Sequence, residues 1–290
     1  VPQADVRPST IAVIIPCFND GATLVDAVRS AQIQDRIDEL VVVDDGSTDG
    51  HTIEVFRSLE REGVRVLQRS NGGLSAARMT GVLATRADCV FCLDADDRLL
   101  PETLSALAAA LDDDPRLALV WGDYRRFGDR EWHQLTAPSL DPWQISYQND
   151  IPASVLIRRS ALLAAGGWQL RGGYEDWDLL MALAERGEHG GRVPIVAYEY
   201  RQHGVRMLGE SAARHGEIYA LLRGRHPHLF ADRRRSWARS DAPLALRLSL
   251  PAIFALPIGA NRQRLLAGAA CHLSRRRGVR KLLIRARSRI

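Results

Sequence analysis

Lysine is almost missing from this chain of 290 residues: Lys281 is the only one, although Lys and Arg together number 39. A mechanism that needs a lysine in the body of the protein, such as a P-loop phosphate clamp or a Schiff base, is thereby excluded. The four cysteines are too few and too scattered for a disulfide framework and point to a reducing compartment. The polar run Val1 to Thr10 holds no apolar core, so no signal peptide is expected there. The longest apolar stretch, Ala242 to Ala260, is broken by Arg247, Pro243, Pro251 and Pro257, which makes it a poor candidate for a bilayer-spanning helix. Acidic residues are scarce toward the end of the chain. Residues 232–290 carry fifteen basic side chains against Asp232 and Asp241, a net +13, which leaves −9 on residues 1–231 of a chain whose total is +4. Hydrophobic residues at 46% and charged residues at 26% are values of a packed globular protein, so disordered and collagen-like classes are excluded.

What is present is an alternation. Ile11 to Ile15 is a continuous apolar run stopped by Pro16, and Leu40 to Val43 and Cys89 to Leu93 are two more, as expected for strands buried on both faces. Leu24, Ala27, Val28 and Ala31 recur at helical spacing. Further helices are expected near Ile53 to Arg61 and Leu74 to Thr85, with a short strand Val64 to Leu67 between them. This order predicts an α/β fold with a mostly parallel central sheet and helices on both faces, where ligands bind beyond the carboxyl ends of the strands. Those ends carry Asp44, Asp45, Asp94, Asp96 and Asp97. Residues 123–152 read as a long excursion, after which a strand near Ala153 to Ile157 and a helix near Ser160 to Ala165 resume the order. Gly166-Gly167-Trp168 and Arg171-Gly172-Gly173 frame a loop ahead of a helix that places Glu175 and Asp176 in its first turn.

Three carboxylates within Asp94-Ala95-Asp96-Asp97 repel one another and are tolerable when a cation sits among them, for which hard oxygen ligands suit Mg²⁺ or Mn²⁺; a solvated acidic turn is the other reading. Asp45 to Phe56 is not a calcium loop, because Phe56 stands where a bidentate glutamate is required; an ordinary tight turn is the other reading of Asp44 to Gly50. Glu175, Asp176 and Asp178 can serve simply to stabilise a helix N-terminus. Cys89 and Cys92 have CxxC spacing, but a strand points them to opposite faces. His226-Pro227-His228 reads as a loop, and Trp121-Gly122-Asp123 and Asn149-Asp150 lie where acceptor contacts are plausible.

From Ile11 to about Met207 the chain resembles the inverting family 2 glycosyltransferases of the GT-A fold. The resemblance runs through Ile14-Ile15-Pro16-Cys17-Phe18-Asn19, Val43-Asp44-Asp45-Gly46-Ser47-Thr48-Asp49, Asn71-Gly72-Gly73-Leu74-Ser75-Ala76-Ala77-Arg78, Leu93-Asp94-Ala95-Asp96-Asp97, Gly173-Tyr174-Glu175-Asp176-Trp177-Asp178 and Tyr200-Arg201-Gln202-His203. It implies transfer of a sugar from a nucleoside-diphosphate sugar, most often UDP-linked, to a hydroxyl of a saccharide, lipid-linked or cell-envelope acceptor. Asp45 would bond the nucleotide base, beside the turn Pro16, Cys17, Phe18 and Asn19. Asp94-Ala95-Asp96 would be the Asp-x-Asp motif, with Asp94 toward the ribose and Asp96 holding Mn²⁺ or Mg²⁺ on the diphosphate. His203 would complete the metal site, and Arg78 matches the basic residue after the Asn-Gly-Gly turn. Asp176 would be the catalytic base, with Glu175 the next candidate. Met79 departs from the family pattern, which has Asn there. A small-molecule acceptor and a non-catalytic module of a glycan-assembly complex are the competing readings. A nucleotidyltransferase is excluded by the absence of a basic Gly-rich loop after the first strand.

The expected organisation is a catalytic domain over residues 1–207, divided into a nucleotide-sugar half (11–122) and an acceptor half (123–207), and a basic helical extension over 208–290. In that extension, apolar side chains between Arg233-Arg234-Arg235 and Arg275-Arg276-Arg277 suggest peripheral attachment of a cytoplasmic protein to the anionic inner face of a membrane. The alternative is a helical subdomain packed on the catalytic domain. Nucleic acid is not expected as a partner, because base-stacking aromatics are nearly absent there.

Overall fold

The computed structural model describes residues 8–128, 131–202 and 211–287, with side chains as far as residue 275. Its first half is a βα alternation: β1 (Ile11–Cys17), α1 (Gly21–Gln32), β2 (Glu39–Asp44), α2 (Gly50–Arg61), β3 (Arg65–Gln68), α3 (Leu74–Ala84) and β4 (Cys89–Cys92). These strands run parallel in the order β3-β2-β1-β4. Every residue of β1 is buried, because side chains of alternating direction meet a helix layer on each face. Ile14, Val41, Val43 and Cys92 enter one core, while Val13, Ile15, Val42 and Cys89 enter the other. Cys89 and Cys92 thus face opposite ways, and burial pushes their thiols up to about 11 and about 12. The strand does not stop at Pro16: it runs on to Cys17, and the ladder to β4 has ended at Ile14, which leaves room for a residue that donates no bond. Helix α3 lies so close to β1 that a Cβ on Gly81 would stand 2.3 Å from Ile14 Cγ2.

The second half departs from a mostly parallel sheet. After β5 (Arg98–Leu99) and α4 (Thr103–Asp113) come β6 (Leu117–Gly128), β7 (Trp132–Gln134), α5 (Pro142–Ile145), β8 (Leu156–Arg158), α6 (Arg159–Ala164), α7 (Glu175–Glu185) and β9 (His189–Gln202). β8 enters antiparallel between β4 and β6, β7 and β5 pair antiparallel to β6 and β9, and only β6–β9 is parallel. The sheet is therefore mixed. The expected excursion over 123–152 is largely the end of β6, its hairpin with β7, and α5. The acceptor-side candidates there are occupied internally. Asp123 holds Arg192 through two bonds of 2.8 and 2.9 Å and accepts from Thr136 N, Asn149 accepts from Ile151 N, and Asp150 binds Arg275.

The chain continues as α8 (His215–Arg225), α9 (Pro227–Ala231), α10 (Arg233–Arg239), α11 (Leu244–Ala255) and α12 (Ala260–Arg287). Leu246, Leu250, Ala267 and Cys271 pack with Trp143 and Tyr147 into a core of their own. Several arginines of the basic segment are structural. Arg233 lies between the rings of Tyr147 and Phe230 and donates to Ser146 O, and Arg275 ties α12 to Asp150 and Leu135 O. Leu244, Leu248, Leu265, Leu266 and Leu273 stay exposed. Among the described residues, no helix is long and apolar enough to cross a membrane.

His226 and Pro227 are not a free loop: they join α8 to α9 and lock both onto α7. His226 bonds Asp178 Oδ1 through Nε2 and Glu185 Oε2 through Nδ1, each at 3.0 Å, and Arg225 adds two bonds to Asp178. Burial opposes charge on His226, but the two carboxylates outweigh it and raise its pKa above 6.5. A raised histidine pKa stabilises the fold fully below the unfolded value, and that contribution is lost as pH rises through the folded value. His226→Gln should therefore cost about 1–2 kcal/mol in urea unfolding near pH ~6 and progressively less toward pH ~9. A deficit that stays constant over this range would show that His226 is neutral in the fold.

Candidate active site

The carboxyl ends of β1, β2 and β4 lie side by side, since Cys17 pairs with Asp44 and Ile14 with Cys92. The turns that leave them meet at one edge of the sheet. Asn19, in the left-handed region at φ 53°, accepts the backbone N–H groups of Thr48 and Asp49 and donates its own N–H to Ser47 Oγ. Asp49 caps α2, and Asp44 accepts Ser47 N at 2.7 Å. The Pro16–Asn19 and Asp44–Gly50 turns are thus one braced unit, with Phe18 49% exposed upon it.

Asp45 is buried and looks inward. Its Oδ1 accepts Arg69 Nη1 at 2.6 Å and Gly72 N at 3.0 Å, and its Oδ2 accepts Gly73 N at 2.7 Å. A carboxylate against backbone N–H groups at a helix start is favourable, and here it sets where α3 begins. Arg69 carries no mark of this role in the sequence, since it lies 24 positions from Asp45, just past the end of β3.

Five residues into α3 stands Arg78, 1% exposed. Its Nη2 donates to Asp94 Oδ1 at 2.8 Å and its Nη1 to Asp176 Oδ1 at 2.7 Å, with Glu175 Oε1 at 3.9 Å. Burial disfavours the charged guanidinium, but Asp176, Asp94 and Glu175 outweigh it and hold its proton well above the ordinary range. Glu175 moves the other way for a carboxyl: burial first and the Asp176 charge second push it up to about 7, against the pull of Arg78. Asp176 Oδ1 also accepts Trp168 Nε1 at 2.9 Å, and Asp176 Oδ2 takes no bond among the described residues. Asp178, in the same first turn, faces away and belongs to the Arg225–His226 lock rather than to this edge.

The Asp94–Asp97 turn is tied down from β9. Arg201 N donates to Asp97 Oδ1 and Arg201 Nε to Asp96 O. His203 lies outside the described residues. Among the described residues, no group of three or more His, Cys, Asp or Glu side chains is arranged to hold a metal. Asp94 accepts from Arg78 and Asp97 from Arg201 N; of the three acids, Asp94 and Asp96 are the oxygen donors that stay partly exposed. One or two hard oxygen ligands suit Mg²⁺ or Mn²⁺ that arrives with diphosphate oxygens and keeps waters.

Residues 12–164, more than half of the chain, match the profile described as glycosyl transferase family 2. This chain belongs to that family. It is 30% identical over 260 residues to the O-antigen biosynthesis protein RfbC of Myxococcus xanthus, which covers 84% of this chain but only 20% of that protein. It is 28% identical over 222 residues to the undecaprenyl-phosphate 4-deoxy-4-formamido-L-arabinose transferase of Aeromonas hydrophila, covering 73% of this chain and 63% of that one. The solved structure of residues 1–349 of S. aureus TarS with UDP-GlcNAc superposes with a TM-score of 0.61 at 17% identity, over 82% of this chain and 69% of that one. The fold of this glycosyltransferase is therefore GT-A, and Asp44, Asp45, Asp94 and Asp96 stand at or just past the carboxyl ends of its strands.

Proposed function

We propose that this glycosyltransferase moves a sugar from a nucleoside-diphosphate donor, UDP-linked, to a hydroxyl of a saccharide or lipid-linked envelope glycan, in one inverting displacement. The observation that carries the reading is the direct link through Arg78 between Asp94, in the Asp-x-Asp turn, and Asp176, on the first turn of α7. The relatives named for O-antigen biosynthesis and undecaprenyl-phosphate transfer support the acceptor class, and TarS with UDP-GlcNAc supports the nucleotide.

Residues 1–207 form the catalytic unit in this reading. The Pro16–Asn19 turn, with Cys17 in its wall and Phe18 on its surface, borders the base. An ionised carboxylate has about four lone-pair sites, and Asp45 uses three internally, which leaves one on Oδ2 for a base N–H. Ala95, 6% exposed, lets the Asp94–Asp96 turn close against the sheet while both acids stay half-exposed. A divalent ion held by Asp96, with His203 assisting, would neutralise charge building on the leaving diphosphate. Asp176 takes the proton of the attacking hydroxyl at Oδ2, the oxygen that Arg78 and Trp168 leave unbonded. A single carboxylate base facing the departing phosphate gives inversion, whereas glycoside hydrolysis needs two carboxyl groups flanking the bond.

Asp96→Ala should abolish metal-dependent donor binding, and Asp176→Asn should keep donor affinity while transfer falls by at least ~10²-fold. Full turnover in excess chelator would overturn the metal role, and a wild-type rate in Asp176→Asn would move the base to Glu175. The exposed leucines of α11 and α12, next to the +13 charge of residues 232–290, support an anionic membrane surface as a further partner. Cosedimentation with anionic but not neutral vesicles is expected, and equal failure with both removes that partner.

A further inference from the structure

We infer that Trp168 is a positioning residue for the Asp176 carboxylate, an inference that rests on Asp176 being the base. The indole is 5% exposed and is used on two sides at once. Its Nε1–H donates to Asp176 Oδ1 at 2.9 Å, and its ring carries the Arg78 guanidinium 5.5 Å from the centroid. Arg78 Nη1 reaches the same oxygen at 2.7 Å. Two donors on Oδ1 fix the rotation of the carboxylate about its Cβ–Cγ bond and assign proton acceptance to Oδ2. A carboxylate held by Arg78 alone could turn about that one contact.

The segment that presents Trp168 is fastened to α3 at three points on one helix face. Ser75 Oγ donates to Leu170 O, Arg78 sits against the indole, and Met79 lies under Gly167. Gly167 has φ +69°, and a Cβ there would stand 2.4 Å from Met79 Sδ. Residues 75, 78 and 79 are neighbours on a helix surface, so α3 seats both donors of the clamp. Met79, where the family pattern has Asn, has an apolar task here: it fills the space beneath the turn that delivers the indole. In donor binding the indole has no direct part, so its loss should be read in the chemical step.

The test removes the N–H while keeping the ring. Trp168→Phe, and replacement of Trp168 by β-(3-benzothienyl)alanine, which puts sulfur in place of N–H within the same outline, are assayed for kcat, donor KM and nucleotide affinity. Each should lower kcat about ten-fold with donor affinity unchanged, and add little on an Asp176→Asn background, because both changes disable one unit. A kcat within about two-fold of wild type in the benzothienyl variant, or an equal loss of donor affinity, overturns the positioning role. A normal rate in Asp176→Asn overturns the base assignment itself, whereas a slow Asp176→Asn beside a normal Trp168 variant overturns only this inference.

Discussion

A buried guanidinium shared among three carboxyl groups is the constraint on which the rest of this site depends. Taking a charge out of water costs several kcal/mol per ion, and the cost is offset only by close, well-directed partners. Arg78, at 1% exposure, finds them on two separate pieces of chain, Asp94 just past the end of β4 and Asp176 and Glu175 at the start of α7, while α3 supplies the arginine itself. Displacing Asp94 or Asp176 takes away one of the two close bonds that hold this buried cation. The placement of the Asp94 turn and the start of α7 relative to one another is therefore maintained by the same free energy that keeps the domain folded. Three acids surround one cation, and burial together with the Asp176 charge leaves Glu175 holding its proton to about pH 7.

The start of α7 is gripped from its far side as well. Asp178 and Glu185 bind Arg225 and His226, and Tyr174, which begins the helix at φ 60°, bonds His215 Nδ1. His215 stacks on Tyr219, and Tyr219 meets Phe230 and Phe254. The C-terminal helices thus reach the turn that carries Asp176 without entering the sheet edge. Their arginines divide into two populations: Arg233 and Arg275 are consumed in holding the helices down, while Arg234, Arg235 and Arg239 stay exposed.

The parallel half of the fold is legible in the chain because β1, β2 and β4 are buried on both faces, which writes them as unbroken apolar runs. β9 is not legible. Its fourteen residues include Gly190, Gly191, Arg192 and Pro194, and they become a strand only because β6 offers a long parallel partner. Asp94 and Asp176 stand out in the sequence as acids at a strand end and a helix start, and Arg78 as the basic residue beside them. That one cation joins both is a tertiary fact spanning 98 positions. Arg69 and Trp168 carried no signal of their own. In the sequence the indole belongs to a glycine-framed loop, and only the Gly166–Gly167 turn, packed on Met79, aims its N–H at Asp176. In the arginine-rich tail, the pairing of Arg275 with Asp150 and the seating of Arg233 on Ser146 are invisible before folding.

The stereochemistry of transfer tests the mechanism most directly. In the proposed mechanism a single base, Asp176, acts across the sugar from a diphosphate leaving at the Asp94–Asp96 turn, which permits one in-line displacement. The anomeric configuration of the first-formed product, read by NMR from the coupling of the anomeric proton, should be inverted relative to the donor. Retention would require a covalent intermediate or a second nucleophile, and would contradict the account.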